Sequence, residues 1–121
     1  MTGKKRVLIV DDDEDFCALA SVRLEEGGLE VHTDSEGNHL VEKVKQVKPD
    51  LIVLDVMLAH LDGLTLFKQM KREGIQVPVV VVTGKAVMMK EVFEMEGAKG
   101  FFQKPVDLKA FVKYLKGLVG E

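Results

Sequence analysis

Residues 51–55 read Leu51-Ile52-Val53-Leu54-Asp55, a short apolar run that ends on a carboxylate. A run of this length, rich in branched side chains and preceded by Lys48-Pro49-Asp50, is typical of a strand buried on both faces in a parallel sheet. In an open α/β sheet, ligands bind in the crevice outside the carboxyl ends of the strands. The sequence therefore predicts that Asp55 lies where a reactive group would be placed.

Three other strand-like runs also end next to polar residues. Because the carboxyl ends of parallel strands meet at one edge of a sheet, we expect these polar residues to lie close to Asp55. The runs are Arg6 to Val10 before Asp11-Asp12, Val77 to Val82 before Thr83, and Gly100 to Gln103 before Lys104.

Length and composition limit the classes of protein to consider. A chain of 121 residues with 46% hydrophobic content suits one compact domain, so we expect residues 1–121 to form a single domain. The net charge of -3 argues against direct nucleic-acid binding, which needs clustered Lys and Arg. No apolar run approaches the roughly 20 residues that cross a bilayer, and no signal-peptide core is present. Cys17 is the only cysteine and is expected to be a small core residue. Because a single cysteine cannot form an internal disulfide, it fits a reducing compartment. A soluble cytoplasmic protein without membrane contact is therefore predicted.

Segments with helical periodicity separate the strands. The acidic residues before Glu14 complement a helix dipole and predict a helix from about Glu14 to Glu26, which Gly27-Gly28 ends. Its expected buried residues are Phe16, Leu19, Ala20 and Leu24. The other predicted elements are a short strand from Leu29 to His32, helices from about Gly37 to Lys48, from Leu64 to Glu73 and from Ala86 to Glu96, and a last helix from Leu108 that Asp107 caps.

Five strands thus alternate with five helices. This alternation predicts an α/β fold with a parallel sheet covered by helices on both faces, because parallel neighbours need right-handed crossovers. The alternation alone leaves the order of the strands open.

The acidic residues Asp11, Asp12 and Asp55 form a cluster if neighbouring strands bring them together. Three carboxylates within a few ångströms repel one another unless a cation compensates, and an all-oxygen ligand set suits Mg²⁺. Thr83 can donate a hydroxyl hydrogen bond and Lys104 supplies an ammonium charge. Together these groups describe a pocket for a phosphoryl group, with a carboxylate as the attacking nucleophile.

In these motifs the chain resembles the receiver domain of bacterial two-component response regulators, the CheY-like family. The resemblance covers essentially the whole chain, and it implies a flavodoxin-like (βα)5 doubly wound parallel sheet in the order 2-1-3-4-5. The residues that carry it are Ile9-Val10-Asp11-Asp12-Asp13, Asp55 at the end of an apolar strand, Asp62-Gly63, Val82-Thr83-Gly84 and Phe101-Phe102-Gln103-Lys104-Pro105.

The resemblance implies a phosphorelay signalling role rather than an independent enzyme. A histidine kinase or histidine phosphotransfer protein would pass a phosphoryl group to Asp55, the phosphoacceptor, and slow autodephosphorylation would follow. Asp12 and Asp55 would bind Mg²⁺ (or Mn²⁺) directly, Asp11 through water, and Met57 through its backbone carbonyl. Thr83 and Lys104 would hold the phosphoryl oxygens.

The resemblance also implies a switch. Phosphorylation adds roughly 1.5 to 2 negative charges, which can pull the Thr83 hydroxyl inward. In the family, an aromatic residue three positions before the lysine then turns into the vacated space, and Phe101 holds that position. The Lys104-Pro105 peptide bond would be cis. The surface expected to change comprises the fourth helix, fifth strand and fifth helix, where a homodimer or an effector could bind.

One observation stays open at this point, and two departures from the family pattern lead to expectations. The apolar residues from Val87 to Met95 cover more than one helical face, either for a partner or as an excess of core residues. Ala59 replaces the usual proline of the family, so the loop after Asp55 is expected to be less rigid. An apolar Met57 cannot position an attacking water by hydrogen bonding, which predicts a comparatively long-lived phosphoryl group.

Each motif alone also has a structural explanation, and parts of the sequence are compatible with two other functions. Asp11 to Asp15 can be an acidic helix start, Asp55 a cap and Lys104 a solvated lysine, but their joint occurrence at strand ends favours a site. The Asp11-x-Asp13 spacing would suit a haloacid dehalogenase-type phosphatase or phosphotransferase with Asp11 as nucleophile. A degenerate receiver that only binds proteins is the third possibility. The histidines, His32, His39 and His60, have no metal-like spacing and are expected at the surface.

Overall fold

The computed structural model describes residues 3–56, 62–84 and 90–120. In these ranges five strands alternate with five helices. The elements are β1 (Arg6–Val10), α1 (Glu14–Glu26), β2 (Glu30–Asp34), α2 (Leu40–Val47), β3 (Leu51–Asp55), α3 (Gly63–Arg72), β4 (Val79–Thr83), α4 (Lys90–Met95), β5 (Gly100–Gln103) and α5 (Leu108–Val119). The predicted start of the fourth helix, at residues 86–89, lies outside the described residues.

The five strands form one parallel sheet in the order β2-β1-β3-β4-β5. This is the order that the family resemblance implied, and the α/β, flavodoxin-like fold class is confirmed. The register pairs Val10 with Leu54, Asp55 with Val82, and Thr83 with Gln103. The last residues of β1, β3, β4 and β5 therefore end at one edge of the sheet.

The central strands are buried on both faces because helices cover each side of the sheet. All five residues of β3 and of β4 are buried. Leu8, Ile52 and Val81 face the layer of α2, α3 and α4, whereas Val7 and Val53 face α1 and α5. Full burial of one such side chain contributes about 1.5–3 kcal/mol, so this double core positions the strand ends firmly.

Two predicted element boundaries and one predicted buried residue differ in the structure. Leu29 is buried but precedes β2, because its N–H donates to Leu24 O and so closes the end of α1. Gly37 has a φ of 75°, outside the range of a right-handed helix, and its N–H donates to Asp34 Oδ1, so α2 begins later than predicted. Leu19 was predicted to be buried and is 57% exposed.

The exposure of Leu19 follows from helix geometry. Phe16, Ala20 and Leu24 are buried and recur every fourth residue, which defines a narrow face on a helix of 3.6 residues per turn. Leu19 precedes Ala20 by one position, about 100° away from it, and so lies beyond the edge of that face. Cys17 is half-buried against the α1 and α5 layer.

Two further features bear on function. The peptide bond between Lys104 and Pro105 is cis. None of the helices within the described ranges is long and apolar enough to cross a membrane.

Candidate functional site

The strand ends bring the predicted site residues to one edge of the sheet. Asp11 directly follows β1, Asp55 ends β3, Thr83 ends β4 and Lys104 follows β5. Backbone hydrogen bonds hold these ends in place, since Asp11 N–H donates to Asp34 O (3.0 Å) and Lys104 N–H donates to Thr83 O (2.8 Å). Asp11 and Lys104, which lie near opposite ends of the chain, thus become neighbours.

Three carboxylates gather at this edge. Asp11, Asp12 and Asp55 each offer an oxygen, and these oxygens all lie within 4.8 Å of one another. Asp11 is 1% and Asp55 5% exposed, whereas Asp12 is exposed to solvent. Buried like charges at this separation are unfavourable unless positive charge compensates them.

Lys104 supplies part of that compensation. Its Nζ lies 2.8 Å from Asp11 Oδ2 and 3.8 Å from Asp55 Oδ2, and its side chain is largely buried. Among the described residues, no donor meets the buried Asp11 Oδ2 at hydrogen-bonding angles, and its short contact with Lys104 is an ion pair. Burial alone would lower the pKa of Lys104, but the carboxylates, with Asp11 foremost, raise that pKa above its ordinary value. The ammonium therefore stays charged in the site.

Asp13 and Phe16 also contact Lys104, and neither residue was predicted to do so. Asp13 Oδ2 lies 3.4 Å from Lys104 Nζ, and the centre of the Phe16 ring lies 4.7 Å from it. The Phe16 backbone N–H lowers the pKa of Asp13, with a smaller contribution from Lys104. The sequence did contain a signal for these contacts, because Asp13 lies three positions before Phe16, the first buried aromatic residue of α1.

Thr83 and Phe101 lie at and near the same edge. Thr83 is fully buried at the end of β4. Phe101 is partly buried in β5 and packs 6.5 Å from the Phe93 ring, which in turn stacks on Phe67 at 6.2 Å. Of the two predicted switch residues, Phe101 is therefore in contact with the core that supports α3 and α4.

Some predicted residues fall outside the described ranges. They include Met57, whose backbone carbonyl was predicted to bind the metal, as well as Ala59, His60 and Val87. Of the other histidines, His39 is exposed, whereas His32 is half-buried and bonds to Glu30.

The residues present fit a hard divalent cation. The donor atoms are carboxylate oxygens, and one of them, Asp11 Oδ2, is buried with an ion pair in place of a good hydrogen bond. Mg²⁺ and Mn²⁺ prefer such oxygen donors, and Mg²⁺ commonly shares its coordination with phosphate oxygens. The cluster can thus hold a metal beside a phosphoryl group.

Comparison with known proteins agrees with this geometry. The family model described as response regulator receiver domain matches residues 7–116. The alkaline phosphatase synthesis transcriptional regulatory protein PhoP of Bacillus subtilis is 39% identical over 102 residues, which cover 84% of this chain and 42% of PhoP. The transcriptional regulatory protein TrcR of Mycobacterium tuberculosis is 31% identical over 94% of this chain and 45% of TrcR. The chain spans about half the length of the curated relatives it matches.

Solved structures show the same fold. A receiver domain protein (CheY-like) from Methanospirillum hungatei superposes with a TM-score of 0.88 at 26% identity, over 98% of this chain and 95% of that one. The BeF3-activated N-terminal receiver domain of RstA from Klebsiella pneumoniae gives a TM-score of 0.86 at 25% identity, over 97% of this chain and 100% of that one. The sheet order, the acidic edge and these matches together show that the chain belongs to the response regulator receiver domain family.

Proposed function

We propose that this receiver domain of the two-component response regulator family is a phosphoacceptor switch, in which Asp55 receives a phosphoryl group. The domain would comprise residues 1–121. The observation that carries the proposal is the contact of Lys104 Nζ with both Asp11 and Asp55 at the edge where Thr83 ends β4. The donor would be the phosphohistidine of a sensor histidine kinase or of a histidine phosphotransfer protein.

The family generally binds Mg²⁺, and the acidic edge of this chain supports the same role. Asp11, Asp12 and Asp55 would hold Mg²⁺ (or Mn²⁺), with Met57 contributing its backbone carbonyl. A bound divalent ion would offset the negative charge of the phosphoryl oxygens. Asp11 N–H and the neighbouring backbone keep the carboxylates close to the strand ends before any ligand arrives.

The chain's own residues supply the rest of the transfer. A carboxylate oxygen of Asp55 attacks the phosphorus, the phosphorus–nitrogen bond to the donor imidazole breaks, and the imidazole nitrogen keeps the bonding electron pair. Lys104, already 3.8 Å from Asp55 Oδ2, would offset charge on the phosphoryl oxygens, and the Thr83 hydroxyl would donate a hydrogen bond to one of them. The low exposure of Asp55 limits access of water to the product.

The signal would leave the site through Thr83 and Phe101. Movement of the Thr83 hydroxyl towards the phosphoryl group lets Phe101 change its packing against Phe93. The affected surface, formed by α4, β5 and α5, would bind an effector or a second copy of the chain. Exposure of Met95 (87%) and Tyr114 (40%) on this surface supports a binding role.

The competing assignment of Asp11 as nucleophile has less support. Asp11 Oδ1 accepts the Asp13 N–H (2.9 Å), and Asp11 Oδ2 is paired with Lys104. These contacts hold Asp11 in place beside Lys104, and a nucleophilic Asp11 would leave Asp55 at the same edge without a role in a chain that matches the receiver domain family. We therefore assign the protein a signalling role with self-catalysed phosphorylation and slow dephosphorylation; its cytoplasmic location stays a prediction.

Incubation with Mg²⁺ and acetyl phosphate, followed by mass spectrometry, tests the proposal. We expect one phosphoryl group on Asp55, none in Asp55→Asn, and normal labelling in Asp15→Asn, a surface change in the first turn of α1. Label on Asp11 would support a dehalogenase-type enzyme. A protein that takes up no label would instead be a binding module, and the proposal would be abandoned.

A further inference from the structure

The first turn of α1 presents two groups to Lys104 that the proposed transfer does not use. Asp13 Oδ2 lies 3.4 Å from Lys104 Nζ, and the Phe16 ring centre lies 4.7 Å from the same atom. An ammonium at this distance from an aromatic face is attracted by the ring's electron density. Lys104 is thus contacted from the α1 side by a carboxylate and a ring.

The positions of both groups are fixed by other contacts. Asp13 caps α1, because its Oδ1 accepts the Phe16 N–H at 3.1 Å, which directs its other oxygen towards Lys104. Phe16 is 8% exposed, and its ring packs edge-to-face on Phe111 with centres 6.0 Å apart. One helix start therefore holds the carboxylate and the ring in a defined arrangement.

We propose that Asp13 and Phe16, the Asp13–Phe16 pair, position the Lys104 ammonium so that it lies within reach of a phosphoryl group on Asp55. The inference rests on the proposed function of Asp55. Lysine carries its charge on a flexible four-carbon stem, which must lose rotamer freedom when the charge is placed. Contacts that order the stem before the donor arrives reduce the entropy lost during transfer.

The pair is a positioning device rather than part of the reacting group. Asp11 and Asp55 attract the same ammonium from the sheet, at 2.8 Å and 3.8 Å. The Asp13–Phe16 pair adds contacts from a different element, so Lys104 is held between β1, β3 and α1. Loss of the Asp13–Phe16 pair would leave the Lys104 ammonium in contact with Asp11 and Asp55. The Lys104 side chain would, however, be less restricted in its orientation.

Three variants separate the charge of Asp13 from its capping role. Asp13→Asn keeps a good helix cap and removes the charge, whereas Asp13→Glu keeps the charge and weakens the cap. Asp15→Asn removes an equal charge from the same turn, and Asp15 makes no ion pair within the described ranges. Thermal stability of each variant is measured alongside the rate of labelling.

The rate of Asp55 labelling by acetyl phosphate is the first measurement. We expect it to fall about two- to fivefold in Asp13→Asn, since partly exposed ion pairs have modest energies, and to be nearly normal in Asp13→Glu and Asp15→Asn. Labelling that follows stability instead, slow in Asp13→Glu and normal in Asp13→Asn, would overturn the inference. Absence of label at Asp55 in the wild-type protein would instead refute the proposed function, so the two failures can be told apart.

The second measurement needs neither metal nor donor. Ring currents of Phe16 should shift the NMR signals of the Lys104 methylene groups nearest the ammonium. We expect this shift to vanish in Phe16→Leu, to shrink in Asp13→Asn and to persist in Asp13→Glu and Asp15→Asn. An unchanged Lys104 signal in Asp13→Asn would show that Asp13 does not position this side chain.

Discussion

Gly63 shows how one residue restricts the chain that follows Asp55. A Cβ atom at this position would lie 2.4 Å from Val56 Cα and 2.8 Å from Val56 Cβ. The Gly63 N–H also points to Val56 O at 3.4 Å, while Asp62 caps α3 by accepting the Leu64 N–H. Gly63 at the start of α3 therefore packs closely against Val56, which directly follows β3. The Asp62-Gly63 motif is thus more than a turn.

The substitution Gly63→Ala should destabilise the protein by about 1–3 kcal/mol, the usual effect of forcing atoms into a packed site. Gly117→Ala is the matched control, because, apart from the adjacent backbone of its own helix, no atom of the described residues lies within 4 Å of its added Cβ. Since glycine weakens a helix interior by about 0.5–1 kcal/mol, this control should be slightly more stable than wild type. Urea unfolding measures both, and equal stability of Gly63→Ala and wild type would contradict the close contact.

At the scale of elements, β1 and β2 are joined at their starts by a charged group of side chains. The register pairs Arg6 with Glu30, and Arg6 Nε lies 3.1 Å from Glu30 Oε2. His32 Nε2 lies 2.7 Å from the same oxygen. The bond to His32, and then the charge of Arg6, lowers the pKa of Glu30 below its ordinary value of 4.5.

This arrangement predicts a pH dependence with a definite sign. The contribution of Glu30 to stability should be fully present above pH 4.5 and lost as the pH falls through its lowered pKa. NMR titration of the Glu30 carboxyl should give a midpoint below 4.5 that rises in His32→Ala. His39→Ala, a change at an exposed histidine beside Glu42, should leave the midpoint unchanged. A wild-type midpoint at or above 4.5 would contradict the assignment.

At the scale of the whole molecule, the candidate site exists only when the sheet is assembled. Asp11 and Asp12 follow β1, Asp55 ends β3 and Lys104 follows β5, so the acidic edge depends on the parallel pairing of these strands. A ligand that binds the assembled edge and not the unfolded chain stabilises the folded state by mass action.

Mg²⁺ should therefore raise the melting temperature. At ten times its Kd, the ion should add about 1.4 kcal/mol, or about 5 °C for a domain of this size. Asp12→Asn should lose most of this shift because it removes one of the three clustered carboxylates, and Asp15→Asn should keep it. Differential scanning calorimetry with and without EDTA measures the effect. Equal shifts in wild type and Asp12→Asn would exclude the cluster as the binding site.

Much of the site could be predicted because its residues lie at strand ends. Asp55 and Thr83 each end a short run of apolar residues with branched side chains, and both runs are visible in the sequence. The contacts of Lys104 with Asp13 and Phe16 could not be predicted in this way. They depend on how the first turn of α1 packs beside the chain after β5.

Local physical chemistry is sufficient for the alternation of strands and helices, because period-2 or apolar runs and 3.6-residue patterns arise from neighbouring residues alone. The Asp107 cap of α5 and the buried residues of β3 follow in the same way. The choice of the buried face of α1 and the distances around Lys104 required the assembled molecule. They are set by contacts between segments far apart in the chain, whose energies no local pattern contains.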